Sequence, residues 1–478
     1  MSEKGAYFGE WTIGDANNTT LNGNLIIDHN ENIYKLTLYS HEPVLIPSSV
    51  EIIYGKTHEG SAYTCYNCIV GGTYSSSIIH GGLKYFYEVS FDYLLEGQTF
   101  TNPSEVLLKK VSFGITNMEQ WAFQEALKRE LTEESNYILT TKNLEDVVHK
   151  NERFELVISY STSPDYNYIF KRAETISTKV NMRIEFYNPT TIEETKKIIN
   201  QVRDFIALCT TSPTYVTSMS AIPNYPEDHE IQIPISIYSR YLGIEKLLEE
   251  DLVLRRSDNY ISLLQIKKDF DKCMKNWFAK NKKLKPVIEL YLSIYYHRTS
   301  NERHFLNLIQ ALEAYHRLTR NNHVLSRDEH STRINEILSG VPEVHKDWVK
   351  TKLNFSNEPS LHERLEDLLN PTLEFDDLDK QSKYGLLFEF KNKDKEELLR
   401  NIKNTRNYNT HFSEHLLRKT VKGEELYQLV LFLKVLLEYY LLTELEIDKD
   451  TILDLCWGNS QQIRHRETLI NAMTKGNA

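Results

Sequence analysis

Arg406 and His411 stand with four residues between them in the run Arg406-Asn407-Tyr408-Asn409-Thr410-His411. They supply a guanidinium that can hold a phosphate and an imidazole that moves protons near neutral pH. RNA cleavage needs little more. The ribose 2′-OH must lose a proton, the phosphorus passes through a more negatively charged state, and the leaving 5′ oxygen must gain a proton. No step demands a metal. On a helix Asn407 and His411, four apart, share a face, while Arg406 points to the neighbouring side.

Spacing alone is a weak signal, because 20 Arg and 16 His in 478 residues would give Arg-x4-His about 0.7 times by chance. Context distinguishes this copy. The run Asn404 to His411 is full of poor helix formers, yet it follows a convincing helical stretch, Lys395 to Ile402. A local conflict of that kind inside a helical region marks a functional site; the bland alternative is a frayed helix end or an Asn-rich loop. Arg317 and His323 form a decoy with five intervening residues, but apolar Leu318 follows the arginine. Tyr408 has the chemistry to stack on a base, although packing is the commoner role of a Tyr in so aromatic a chain. Glu313 falls on an apolar stripe with Ile309 and His316, where a carboxylate needs a partner; Arg406 is a candidate, and an ordinary helix-to-helix ion pair with another Lys or Arg is the alternative.

Between Lys391 and Lys422 nine Lys or Arg face four Asp or Glu. This segment is basic within a protein of net charge −11, which suits a small RNA element and disfavours a broad duplex-binding face. Cys65-Tyr66-Asn67-Cys68 has the spacing of half a zinc site that His58 and His80 would complete. A lone CxxC equally describes two free thiols in a strand or turn. Lys280, Lys282, Lys283 and Lys285, before Pro286, read as a solvated loop. Neither a GxxxxGK[ST] phosphate loop nor a GxSxG elbow occurs.

The elements that must position these groups follow from periodicity. The first half alternates in short runs such as Tyr34 to Tyr39 and Phe86 to Phe91, punctuated by Asn22-Gly23, Gly71-Gly72 and Gly81-Gly82, so residues 1–235 read as β-rich. A helix over Thr191 to Cys209 interrupts them. Pro213, Pro223, Pro226 and Pro234 then precede a region almost free of strand signals. The expected fold is α+β: a β-rich domain at 1–235, a helical connector at 236–300 and an all-helical domain at 301–478. There Phe305, Leu308, Ile309 and Leu312 mark one helix, and Leu426 to Leu442 another that is apolar nearly all round and therefore buried. Its Gln428, Lys434 and Glu438 make it too polar for a membrane span. Five sparse cysteines fit a reducing compartment, and the first residues lack a signal-peptide pattern, so the expected location is cytoplasmic.

The stretch Asn404 to Glu414, NTRNYNTHFSE, resembles the signature of HEPN ribonuclease domains. It is most similar to the Apea-like HEPN family of bacterial anti-phage proteins. Phe305 to His316, Leu361 to Leu369 and Leu426 to Leu442 match further segments of that family. Leu95 to Phe100, Val111-Ser112-Phe113 and Glu119-Gln120-Trp121 resemble its N-terminal companion domain. The resemblance implies a ribonuclease without metal or other cofactor, with Arg406, Asn407 and His411 catalytic and Glu313 supporting. It implies pairing of two copies about a two-fold axis, bringing two motifs into one cleft as a homodimer or higher oligomer. It also implies host RNA, including tRNA loops, as substrate and a phage-derived trigger acting through the N-terminal domain. Two other classes compete with it: a non-catalytic HEPN dimer that binds nucleic acid or nucleotide, and a recognition protein whose helices only dimerise.

Overall fold

The computed structural model describes residues 4–14, 18–78, 82–133, 137–164, 176–225, 232–240, 242, 254–255, 258–371 and 373–460. The chain forms two compact units, Met1–Asp258 with Ser262–Asp271, and Asn259–Ile261 with Lys272–Ala478.

In the first unit β1 (Lys4–Ile13), β2 (Thr20–Asp28), β3 (Ile33–Ser40), β4 (Ser49–Thr57), β5 (Ala62–Ile78) and β6 (Gly82–Glu96) hydrogen-bond in the order β6-β3-β2-β1-β4-β5. A further β5–β6 pairing closes the ring into a barrel. All pairs are antiparallel. Alternation decides which side chains enter: in β2, Leu21, Leu25 and Ile27 are buried while Asn22 is exposed. With Trp11, Leu36, Leu38, Ile53 and Tyr63 they fill the interior. Trp11 fits because two neighbours are glycine. A Cβ on Gly23 would lie 2.7 Å from the indole Cδ1, and one on Gly55 would lie 2.9 Å from its ring and 2.2 Å from the Glu10 carbonyl oxygen.

Long β6 extends the sheet beyond the barrel, pairing with β3 near its start and with β14 through its last residues, Leu94 to Glu96. Next come β7 (Leu108–Ile115), the short helix α1 (Met118–Trp121) and a separate hairpin of β8 (Leu127–Leu131) and β9 (Tyr137–Thr141). They are followed by β10 (Val147–Lys150), β11 (Phe154–Pro164), β12 (Ile176–Thr190), the helix α2 (Ile192–Thr210), β13 (Val216–Pro223) and β14 (Ile235–Tyr238). The open part of the sheet runs β10-β11-β12-β7-β13-β14. Helix α2 covers part of it, as its spacing predicts. The Thr191 side chain caps its start by accepting from Glu194 N, and Ile198, Ile199, Val202, Phe205 and Ile206 are buried.

From Leu263 onward every described regular element is a helix. These are α3 (Leu263–Ile266), α4 (Phe270–Tyr296), α5 (Asn301–Thr319), α6 (Arg327–Ser339), α7 (Glu343–Leu353), α8 (Leu361–Leu368), α9 (Leu378–Phe388), α10 (Asn392–His411), α11 (Gly423–Glu444) and α12 (Lys449–Asn459). The expected lysine loop before Pro286 is instead helical, part of α4. Proline removes one backbone donor there, but Leu284, Val287, Ile288 and Tyr291 are all buried, and that burial outweighs the local cost. Lys280 is also drawn in, donating to the Glu444 carbonyl oxygen at 2.6 Å.

Helix α11 is the most buried of the set. By length and composition alone it passes for a membrane span, but most of its apolar window is covered by the helices around it. Its Glu438 is fully buried. That carboxylate accepts from Tyr291 at 2.8 Å, Tyr295 at 3.0 Å and Asn459 at 3.1 Å, with Lys434 Nζ at 3.7 Å. Such bonds replace the hydration a carboxylate loses on burial, and burial beside Glu438 pushes both phenols well up.

The contact between Trp11 and the barrel glycines can be tested. Gly55→Ala should lower stability by about 1–3 kcal/mol through overpacking, read as a lower urea midpoint with unchanged slope. An unchanged midpoint would mean that the barrel tolerates the methyl group and that this close approach is not required.

Candidate active site

Helix α10 does not fray before the motif; it continues through Asn404 to His411. Tertiary contacts hold the poor helix formers in place. Thr405 is fully buried, and its hydroxyl accepts from Val421 N at 3.0 Å. The Thr410 hydroxyl donates to the Arg406 carbonyl at 2.8 Å. Phe412 ends the helix in the left-handed region (φ 52°), donating its N–H to the Tyr408 carbonyl at 2.7 Å. His411 therefore lies on the last turn, exposed.

Arg406 is one-third exposed. Its Nη2 lies 3.9 Å from Glu313 Oε2 on α5, and its Nη1 donates to Asn407 Oδ1 at 3.3 Å. The structure thus brings Arg406, Asn407 and Glu313 together, with His411 at the open end of the same helix. Glu313 itself is partly exposed. The Tyr408 ring meets Phe412 edge-on at 6.1 Å and lies 5.8 Å from Lys422 Nζ. The positive charge around the motif is partly neutralised, since Lys395 lies 3.7 Å from Glu366 and Arg400 3.3 Å from Glu397.

Behind Glu313 is a polar cluster that sequence reasoning did not single out. His316, one turn along α5, is buried, with Nδ1 3.4 Å from Arg364 Nη1 and Nε2 3.5 Å from Asp367 Oδ2. Arg320 Nε is also 3.5 Å from that carboxylate. Arg364 is buried and donates to the Pro359 carbonyl at 3.0 Å and to Glu358 at 3.2 Å. Its sequence signal is visible in hindsight: Arg364 stands between Leu361, Leu365 and Leu368 on the apolar stripe of α8, a position where a charge must be paired. Arg317 of the decoy pair is engaged with Glu358, and His323 is exposed.

The cysteine candidates belong to the first unit. Cys65 and Cys68 are buried in β5 as free thiols, the Cys68 Sγ donating to the Cys65 carbonyl at 3.4 Å. Burial pushes both thiols up, Cys68 to about 12. His80 lies outside the described residues. Among the described residues no three His, Cys, Asp or Glu side chains are grouped to hold a metal ion.

With this geometry in view, the comparisons define the protein class. Residues 306–451 match the Apea-like HEPN family, the segment that carries Glu313, Arg406, Asn407 and His411. Residues 6–277, more than half of the chain, match the ApeA N-terminal domain 1. The chain belongs to the ApeA family, which at family level means a defence-related HEPN nuclease. No curated protein and no solved structure matches it.

The cluster behind Glu313 makes a pH prediction. Desolvation lowers the pKa of His316, Asp367 opposes this, and Arg364 and Arg320 add to the lowering. Because the folded value lies below the unfolded one, the unfolded chain binds the proton more readily, and stability falls as pH drops through about 6.5 and below. His316→Asn should therefore show a shallower loss of stability between pH 7 and pH 5 than the parent protein, measured by urea denaturation. Identical slopes would contradict this.

Proposed function

We propose that this chain is a metal-independent endoribonuclease of anti-phage defence, acting by abortive infection. It cuts RNA through attack of the neighbouring 2′-OH. His411 moves the proton as general acid or base, Arg406 stabilises the charge that develops on phosphorus, and Asn407 orients His411 or the substrate. Glu313 supports the site by holding Arg406. The observation that carries this reading is the motif's position on the terminal turns of α10, with Arg406 between Glu313 and Asn407 and with His411 open to solvent.

A composite site follows from the geometry of one helix. Arg406 and His411 do not share a face, so a single copy does not enclose a phosphate between them. Two copies related by a two-fold axis, the commonest oligomer geometry, would supply both groups to one cleft as a homodimer. Phe412, 72% exposed beside His411, gives that contact apolar area. In this reading residues 1–235 sense a phage-derived trigger, 236–300 connect and 301–478 cut host RNA, including the single-stranded loops of tRNA, in the cytoplasm. No cofactor is needed, since His411 and Arg406 cover proton transfer and charge stabilisation.

Purified protein incubated with total RNA in the presence of chelator tests the reading. Cleavage should persist, DNA should resist because it lacks the 2′-OH, and His411→Ala should lose about 10²-fold or more in rate. Loss of activity in chelator with rescue by magnesium, on RNA whose fold is unaffected, would overturn metal independence. Full activity in His411→Ala would remove the central residue. RNA bound tightly but left intact by the parent protein would favour the non-catalytic HEPN alternative.

A further inference from the structure

Strands β13 and β14 are neighbours in the sheet but pair only at Ser220 with Ser236 and Ala221 with Ile235. Beyond that point they part. β13 continues along β7, from Ser220 opposite Ser112 to Val216 opposite Ile115, while β14 follows β6, with Ile237 opposite Leu95 and Tyr238 opposite Leu94. A cavity of about 290 Å³ opens where they separate. A concave opening of this kind, lined by aromatic and a few polar side chains, is a common place for a small ligand.

The lining combines two chemistries. One is aromatic: Tyr34 and Tyr238 are stacked with centroids 5.8 Å apart at 23°, and His29 packs on Tyr238 at 4.8 Å. These rings are fixed from behind. The Tyr238 hydroxyl donates to Glu96 at 2.8 Å, a carboxylate that also accepts from Tyr63 at 3.0 Å, and the Tyr34 hydroxyl lies 3.3 Å from His29 Nδ1. Burial pushes the phenols of Tyr34 and Tyr238 up to about 12, so both remain protonated at neutral pH. The lining also carries hydroxyls, those of Ser218 and Ser220 on β13 among them, while the Ser236 hydroxyl is bonded to that of Tyr238.

We propose that this opening binds an uncharged nucleobase or nucleoside. The aromatic wall offers a π-face to a flat ring, and the Ser218 and Ser220 hydroxyls, which both donate and accept, offer partners to its polar edge. Size and charge narrow the class. The volume is at the lower end for small-molecule sites, enough for a base with its sugar and too small for a peptide segment. None of the described lining residues is Lys, Arg, Asp or Glu, so a phosphate has no counter-charge there. The site lies wholly within the first unit and is independent of the nuclease reading.

Full-length protein should be titrated with adenosine, guanosine, cytidine and uridine, followed by saturation-transfer NMR and thermal shift. At least one nucleoside should bind saturably. Tyr238→Ala should weaken it at least about tenfold through lost stacking, and Ser218→Trp, a substitution at the exposed rim, should abolish it by filling the opening without touching the core. Binding should survive Arg406→Ala, which separates this site from the cleavage motif. The proposal is overturned if no nucleoside binds at millimolar concentration, if binding disappears in Arg406→Ala, or if Ser218→Trp leaves it intact. Equal binding of glucose or galactose would overturn the ligand class.

Discussion

The candidate site depends on one constraint: the last two turns of α10 must remain helical although their residues do not favour it. Asn404, Thr405, Asn407, Asn409 and Thr410 all prefer other conformations. The fold overrides them with specific contacts: buried Thr405 bound to Val421 N, and Phe412 closing the helix in the left-handed region. If those turns unwound, Arg406 would leave Glu313 and His411 would lose its fixed position. The local cost is compensated by tertiary packing, as expected where sequence preference gives way to chemistry.

The helical unit supplies that compensation by pairing its buried charged groups, although Asn322 Oδ1 and Asn409 Nδ2 are buried without a partner. Glu438 sits at the centre of α11 but is bound by two phenols and an amide. His316 and Arg364 are buried together with Asp367 and Glu358 at the edge of the cluster. Removing any one partner would leave another group enclosed and unsatisfied, which costs more than the bond itself contributes. This makes the scaffold behind Glu313 rigid, and a site that stabilises charge requires preorganised groups.

Much of the fold was legible in sequence, because the α+β division, α2 and the buried character of α11 all rest on strong periodicity. The contact of Glu313 with Arg406 was readable only as one of two options, the other being an ion pair with a different Lys or Arg, and Glu313 is partly exposed rather than enclosed. Barrel closure was not, because β5–β6 pairing joins strands whose alternation looks the same in an open sheet. The lysines before Pro286 misled because proline and charge suggest a loop, whereas the apolar residues from Leu284 onward decide for helix. Arg364 was overlooked because its partners come from segments distant in sequence, joined to it only by the fold.

The chemistry of the RNA ends tests the central claim most directly, since it reports which oxygen attacks phosphorus. Cleavage by the 2′-OH under control of His411 and Arg406 leaves a 2′,3′-cyclic phosphate on one fragment and a 5′-hydroxyl on the other. Mass spectrometry of short RNA cut by the purified protein should find that pair. Fragments bearing 5′-phosphate and 3′-hydroxyl ends would mean that water attacks instead, and would contradict the mechanism.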